Sequence, residues 1–158
     1  MILYHGSNVE VTTIDLTRSE IGKDFGVGFY LTASKEQAER MASRRVRLYG
    51  GSPAVSAFEF DSDAAVKAGL LQKEFQTYSA EWAEFVLANR ANTSRQQIHE
   101  YDIVYGPVAN DDVGYQIRRL LSGLITLEVF LEELKYKKGI TYQFFFATER
   151  STKYLRRL

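Results

Sequence analysis

Near the start of the chain a histidine, a glycine and a serine stand together in Leu3-Tyr4-His5-Gly6-Ser7. Ile2-Leu3-Tyr4-His5 reads as a strand, with Gly6-Ser7-Asn8 as its breaker. A histidine at a strand end offers a ring nitrogen to a ligand hydroxyl, and the glycine after it lets a ligand approach the backbone closely. Taken alone, such a histidine reads equally as a packed structural residue. His99 is the only other histidine. Two this far apart, without helical His/Glu spacing, do not make a metal site.

A second group lies in Asp24-Phe25-Gly26-Val27-Gly28-Phe29-Tyr30-Leu31-Thr32-Ala33-Ser34-Lys35. Its two glycines let the backbone turn around a flat ligand, and Tyr30 offers a ring face for stacking. The structural alternative is a turn into a core strand, with Phe29 and Tyr30 merely packed. Gly26-Val27-Gly28 does not open a dinucleotide fingerprint, because a strand follows it and the third glycine is missing. There is no phosphate-binding Walker loop.

The elements that must position these residues are those of one ordinary globular domain, spanning 1–158. With 45% hydrophobic and 25% charged residues the chain buries a core and is not disordered. It has no cysteine, which excludes thiol catalysis, cysteine zinc sites and disulfides, and a cytoplasmic location is expected. No apolar run approaches the ~20 residues of a membrane span and no signal-peptide pattern precedes the first strand, so no membrane partner is expected. Twenty basic and 20 acidic residues cancel, so net charge gives no argument for nucleic acid. Arg40, Arg44, Arg45 and Arg47 cluster in one segment, readable as a solvated helix face or as a site for phosphates.

Ser34 with Gln37 forms a capping-box pattern that starts a helix, and Gly50-Gly51-Ser52-Pro53 ends it. Val55 to Phe60 alternates as a half-buried strand, and Leu70 to Phe75 reads as a short edge strand. Ser79 caps the next helix, in which Trp82 shares a core face with Phe85, Val86 and Asn89. Tyr101 to Ala109 is a strand interrupted by Gly106-Pro107. Helices follow at Tyr115–Leu121 and from Thr126 to about Lys137, then a strongly apolar strand, Tyr142 to Ala147, and a short basic helix. The pattern predicts a single α+β domain.

Leu-Tyr-His-Gly-Ser, about two dozen residues, then Gly-Phe-Tyr-Leu-Thr and a helix opening Ser-Lys-Glu-Gln-Ala resembles the ADP-ribosyltransferase superfamily. The likeness is to its His-Tyr-Glu branch, shared by diphtheria-type toxins and poly(ADP-ribose) polymerases, and in particular to a bacterial domain-of-unknown-function branch. Glu81 to Val86 and Tyr101 to Ala109 extend it along most of the chain.

The resemblance implies a split antiparallel sheet with an NAD⁺ cleft between its halves, NAD⁺ being a co-substrate. It places His5 on the adenosine-side ribose, the Gly6 backbone on the nicotinamide amide, Ser7 as a second polar contact, and Tyr30 on the nicotinamide ring. At the third motif position, where the superfamily carries a glutamate against the nicotinamide ribose, this chain has Gln143. An amide keeps the hydroxyl contact but supplies no net charge and no base. Glu149, Glu100, Asp102, Asp111 and Asp112 are the acids that could stand in. The superfamily's second tyrosine is missing from the helix after Tyr30, where Glu36, Glu39 and Arg40 stand.

The expected activity is mono-ADP-ribosyl transfer to a protein or nucleic acid by a bacterial toxin or defence component, for which an antitoxin would be a natural partner. The alternatives are a catalytically weak NAD⁺- or nucleotide-binding sensor domain and an NAD⁺ hydrolase sharing the same site.

Overall fold

The computed structural model describes residues 1–158. Strand β1 (Ile2–Ser7) is followed by a 3-10 turn (Leu16–Arg18) and β2 (Phe29–Leu31). Helix α1 (Lys35–Tyr49) begins at Ser34, whose side chain accepts from the Gln37 N–H. Only that half of the capping box forms, because the Gln37 side chain turns instead to the Thr32 hydroxyl and the Tyr142 carbonyl. Then come β3 (Ala54–Phe60), α2 (Ser62–Lys67), β4 (Gln72–Glu74) and α3 (Ala80–Ala91). The order closes with β5 (Ile103–Pro107), α4 (Asp111–Leu121), α5 (Leu127–Leu134), β6 (Tyr142–Phe146), α6 (Glu149–Thr152) and β7 (Leu155–Arg157).

The strands form two sheets, β1-β3-β7 and β2-β6-β5-β4. The first is antiparallel throughout. The single α+β domain is as expected, but the second sheet departs from the expected antiparallel pairing at one edge, where β4 pairs parallel with β5. Helix α3 lies between those two strands, and a connection that long permits a parallel return. The expected basic helix at residues past Ala147 is also corrected. Four residues of α6 turn the chain back, and Leu155–Arg157 pairs with Phe58–Phe60 of β3.

Strand alternation gives the second sheet a core on each face. Val104 and Phe145 join Phe25, Phe75, Trp82, Val86, Val113, Ile117 and Phe130 on one side. Ile103 and Phe146 join Leu3, Phe29, Leu31, Phe58 and Phe60 on the other. Trp82 is fully buried, and its indole N–H donates to the Pro107 carbonyl at 3.1 Å. It is a core residue. No helix is long and apolar enough to cross a membrane.

Candidate functional site

The two sheets share the core around Phe58 and Phe146, and their backbones pair at one isolated bridge, Tyr4 with Thr32. Each N–H donates to the other carbonyl, at 2.7 and 2.9 Å. Met1 exchanges backbone bonds with Phe60, so the odd-numbered residues of β1 face β3. Tyr4 and Gly6 therefore present their backbone N–H and C=O on the opposite edge. By the same alternation Tyr30 and Thr32 turn theirs away from β6. Continued pairing would set Gly6 against Tyr30, but the ladder stops at Tyr4.

The ring of His5 fills that gap. Its Nδ1 lies 2.8 Å from the Tyr30 carbonyl oxygen, and the ring stacks on Phe29 with centroids 4.6 Å apart. A carbonyl only accepts, so Nδ1 carries the hydrogen. Burial lowers the His5 pKa; the bond to Tyr30 opposes that and the charge of Arg45 adds to it. The ring is thus neutral near pH 7, and Nε2 presents a lone pair to a hydroxyl donor.

Gly6 owes its identity to packing. A Cβ there would overlap the Ala38 carbonyl and come within 2.9 Å of the Ala42 nitrogen, both in α1. The backbone edge of Gly6 stays directed into the split. Ser7 is buried, and its hydroxyl makes one long bond, 3.4 Å, to the Asn8 side chain.

Tyr30 is half-buried, with its ring 4.8 Å from that of Phe145 and 6.4 Å from that of Phe25. Its hydroxyl donates to the Gly26 carbonyl at 2.8 Å and accepts from the Phe25 N–H at 3.0 Å. Burial, with the nearby charge of Asp24, pushes its phenol well above the usual range. Other side chains hold the rest of this loop. His99 Nε2 donates to the Phe25 carbonyl at 2.8 Å, the Gln97 amide to that of Val27, and the Ser19 hydroxyl accepts from the Gly28 N–H at 2.9 Å. Gly26 has φ +107°, and a Cβ on Gly28 would collide with the Phe145 ring. The two glycines are needed by the loop itself.

Gln143 sits in β6 opposite Gly106, on the face shared by Phe145. Its Nε2 donates to Asp24 Oδ2 at 2.9 Å. Asp24 is buried; it also accepts from Arg90 Nε at 2.8 Å and from the Ala109 N–H at 3.1 Å, and is ion-paired with Arg90 Nη2 at 2.7 Å. A carboxylate facing a guanidinium accepts only, which fixes the amide nitrogen toward Asp24 and leaves Oε1 as an acceptor without a protein partner. Asp24 and Arg90 are the site residues that sequence reasoning passed over. The available signal was the position of Asp24 directly before the glycine loop.

The other candidate acids lie elsewhere. Asp102 is buried but staples Leu71 N–H and the Thr148 hydroxyl. Asp111 pairs with Arg44 and Asp112 with Lys137, while Glu100 and Glu149 are exposed. The arginines of α1 are mostly occupied: Arg40 by Glu36, Arg44 by Asp111, and Arg45 by Glu20 and the Tyr49 ring. Two surface cavities, of about 260 and 270 Å³, include neither His5, Tyr30 nor Gln143 in their walls. The first lies by Phe58 and Arg157, the second against Tyr105, Tyr142 and Phe144.

Residues 1–157 match a family described as Protein of unknown function (DUF3990). The chain belongs to that family. No curated protein and no solved structure matches it.

In this DUF3990 chain the His5 ring reaches the Tyr30 backbone carbonyl beside Phe29, while the Tyr30 ring and Gln143 lie with Phe145 on the opposite face of the second sheet. No group of three or more His, Cys, Asp or Glu side chains is placed to hold a metal ion.

Proposed function

We propose that the chain binds NAD⁺ in the split between its sheets and transfers ADP-ribose to a protein or nucleic acid, as a mono-ADP-ribosyltransferase. The observation that carries this reading is the His5–Tyr30 bond at 2.8 Å. It brings together two motif residues 25 positions apart in sequence and leaves His5 Nε2 without a protein partner.

In this reading His5 Nε2 accepts from a hydroxyl of the adenosine-side ribose, and the Gly6 backbone takes the nicotinamide amide. Tyr30 packs on the nicotinamide ring, and Ser7 adds a polar contact. Gln143 Oε1 accepts from the nicotinamide-ribose 2′-hydroxyl. The glycosidic C–N bond breaks with its electron pair leaving on nicotinamide, and positive charge develops at the anomeric carbon. A nucleophilic oxygen or nitrogen of the acceptor bonds to that carbon and gives up its proton. The chain contributes positioning and aimed dipoles. A role in bacterial conflict, as a toxin or defence component with an antitoxin as partner, follows by analogy with the superfamily.

Incubation of the purified protein with labelled NAD⁺ tests the reading. Transfer predicts release of nicotinamide together with label on a macromolecule. Release without labelled macromolecule assigns the site to NAD⁺ hydrolysis. Binding with no release supports a second reading, a nucleotide-binding sensor, which the uncharged amide at position 143 favours. Absence of binding removes all three.

A further inference from the structure

We infer that Asp24 dictates the residue at position 143: it holds the Gln143 amide by its nitrogen, aims Oε1 at the ligand, and keeps a carboxylate out of that place. Asp24 accepts three hydrogen bonds, from Arg90 Nε, the Ala109 N–H and Gln143 Nε2, and its Oδ1 is also ion-paired with Arg90 Nη2 at 2.7 Å. An ionised carboxylate only accepts, so with the guanidinium on Oδ1 and the Ala109 N–H on Oδ2 the side chain at position 143 must supply a donor. A glutamate there would bring two carboxylates into the 2.9 Å now spanned by a hydrogen bond, and one of them would have to take a proton or move away. A lysine or arginine could donate but would offer no acceptor on its other side. Glutamine does both without a charge. Gln143 is therefore the residue its surroundings require, and not a glutamate that has decayed.

Asp24 is a positioning residue. Its charge is matched by Arg90, and it reaches a ligand only through the amide of Gln143. That functional consequence rests on the NAD⁺ reading above; the coupling between positions 24 and 143 does not.

The test is a double-mutant cycle read by thermal unfolding at about pH 7. Gln143→Glu is expected to lower Tm by about 5 °C. The double variant Asp24→Asn/Gln143→Glu removes one of the two facing carboxylates and is expected to lose less stability than the losses of Asp24→Asn and Gln143→Glu summed. Losses that simply add would overturn the inference. A second measurement needs no variant to fold. In the wild-type protein with isotope-labelled glutamine, the Gln143 side-chain amide protons should be shifted and protected from exchange. Freely exchanging protons would equally overturn it.

The enzymatic arm follows nicotinamide release. Asp24→Asn should cut kcat about tenfold with KM within about twofold, because orientation is lost while most contacts remain. The double variant should exceed Gln143→Glu in turnover. If Gln143→Glu alone is faster than wild type, the inference fails. If the wild-type protein releases nothing, the NAD⁺ transfer reading fails, and the thermal cycle and the amide protection still decide the role of Asp24.

Discussion

His5 Nδ1 donates to the carbonyl oxygen of Tyr30 at 2.8 Å, where backbone pairing between β1 and β2 has ceased. One imidazole thereby ties the two sheets together past their only bridge and keeps its second nitrogen free. The two roles separate on substitution. His5→Ala loses both, whereas His5→Asn can restore a donor to Tyr30 but has no nitrogen lone pair. If the chain binds NAD⁺ as proposed, both variants should weaken that binding by about 1–2 kcal/mol for the lost hydroxyl contact, with His5→Asn the more stable protein. Calorimetric titration and urea unfolding of the two variants check this. Wild-type affinity in a folded His5→Ala protein would remove His5 from the site.

Tyr30 likewise divides into ring and hydroxyl. The hydroxyl serves the Phe25 N–H and the Gly26 carbonyl, so Tyr30→Phe should destabilise the fold by about 1–3 kcal/mol. Its NAD⁺ affinity should stay within about twofold if the ring makes the contact, whereas Tyr30→Ala should lose about 1–3 kcal/mol of binding. Urea titrations and equilibrium binding on the same preparations distinguish the two. A Tyr30→Phe protein as stable as wild type would show that the loop does not depend on the hydroxyl.

Much of this arrangement was legible in the residues themselves. The Ser34 cap, the alternation of Val55 to Phe60 and the apolar run of β6 each carry their own local signal. Helix α2 was hidden because Asp61, its cap, also belongs to a turn-like Asp-Ser-Asp cluster, and the helix has only six residues. Strand β7 is three residues long and basic; its pairing with β3 and the Arg156–Glu59 contact are non-local, so no periodicity announces it. The start of α4 was hidden in the same way. Asn110 caps it and Asp111 and Asp112 form its first turn, a pattern equally compatible with a solvated turn.

The site followed the same division. His5, Gly6 and Tyr30 came from motif order, but Asp24 and Arg90 stand 66 residues apart and only the fold makes them a pair. Gly6 and Gly28, which invite a ligand reading, have a packing reason in α1 and Phe145. The resemblance implied the split sheet, whereas the single bridge that joins its halves, Tyr4 with Thr32, is invisible in sequence.

Two glycines make opposite predictions about packing. Gly6→Ala drives a methyl into the Ala38 carbonyl, a backbone atom that cannot swing away, and should cost about 3 kcal/mol or more. Gly114→Ala lies inside α4, where a Cβ meets only the guanidinium ends of Arg118 and Arg90, both at 3.7 Å. Helix propensity then favours alanine, and a gain of up to about 1 kcal/mol is expected. Urea unfolding of both variants is the check. A tolerated Gly6→Ala would mean that α1 does not sit against β1 as described.

The two histidines predict an acid-sensitive fold. His99 donates from Nε2 to the Phe25 carbonyl and accepts at Nδ1 from the Tyr101 N–H at 3.2 Å, so protonation would cost it the second bond. Burial lowers the pKa of both His5 and His99 below the ordinary 6.5. The folded protein therefore binds these protons less readily than the unfolded chain. Their contribution is fully present above 6.5 and is lost as pH falls through the depressed folded values. Asp15, lowered chiefly by the Thr17 hydroxyl, and Glu20, lowered chiefly by Lys23, act further down, in the carboxylate range. Unfolding free energy measured between about pH 7 and pH 5 should fall in the wild-type protein, and fall less steeply in His5→Gln or His99→Gln. A profile that is flat over this window, or identical in all three proteins, would mean that neither ring is held neutral by the fold.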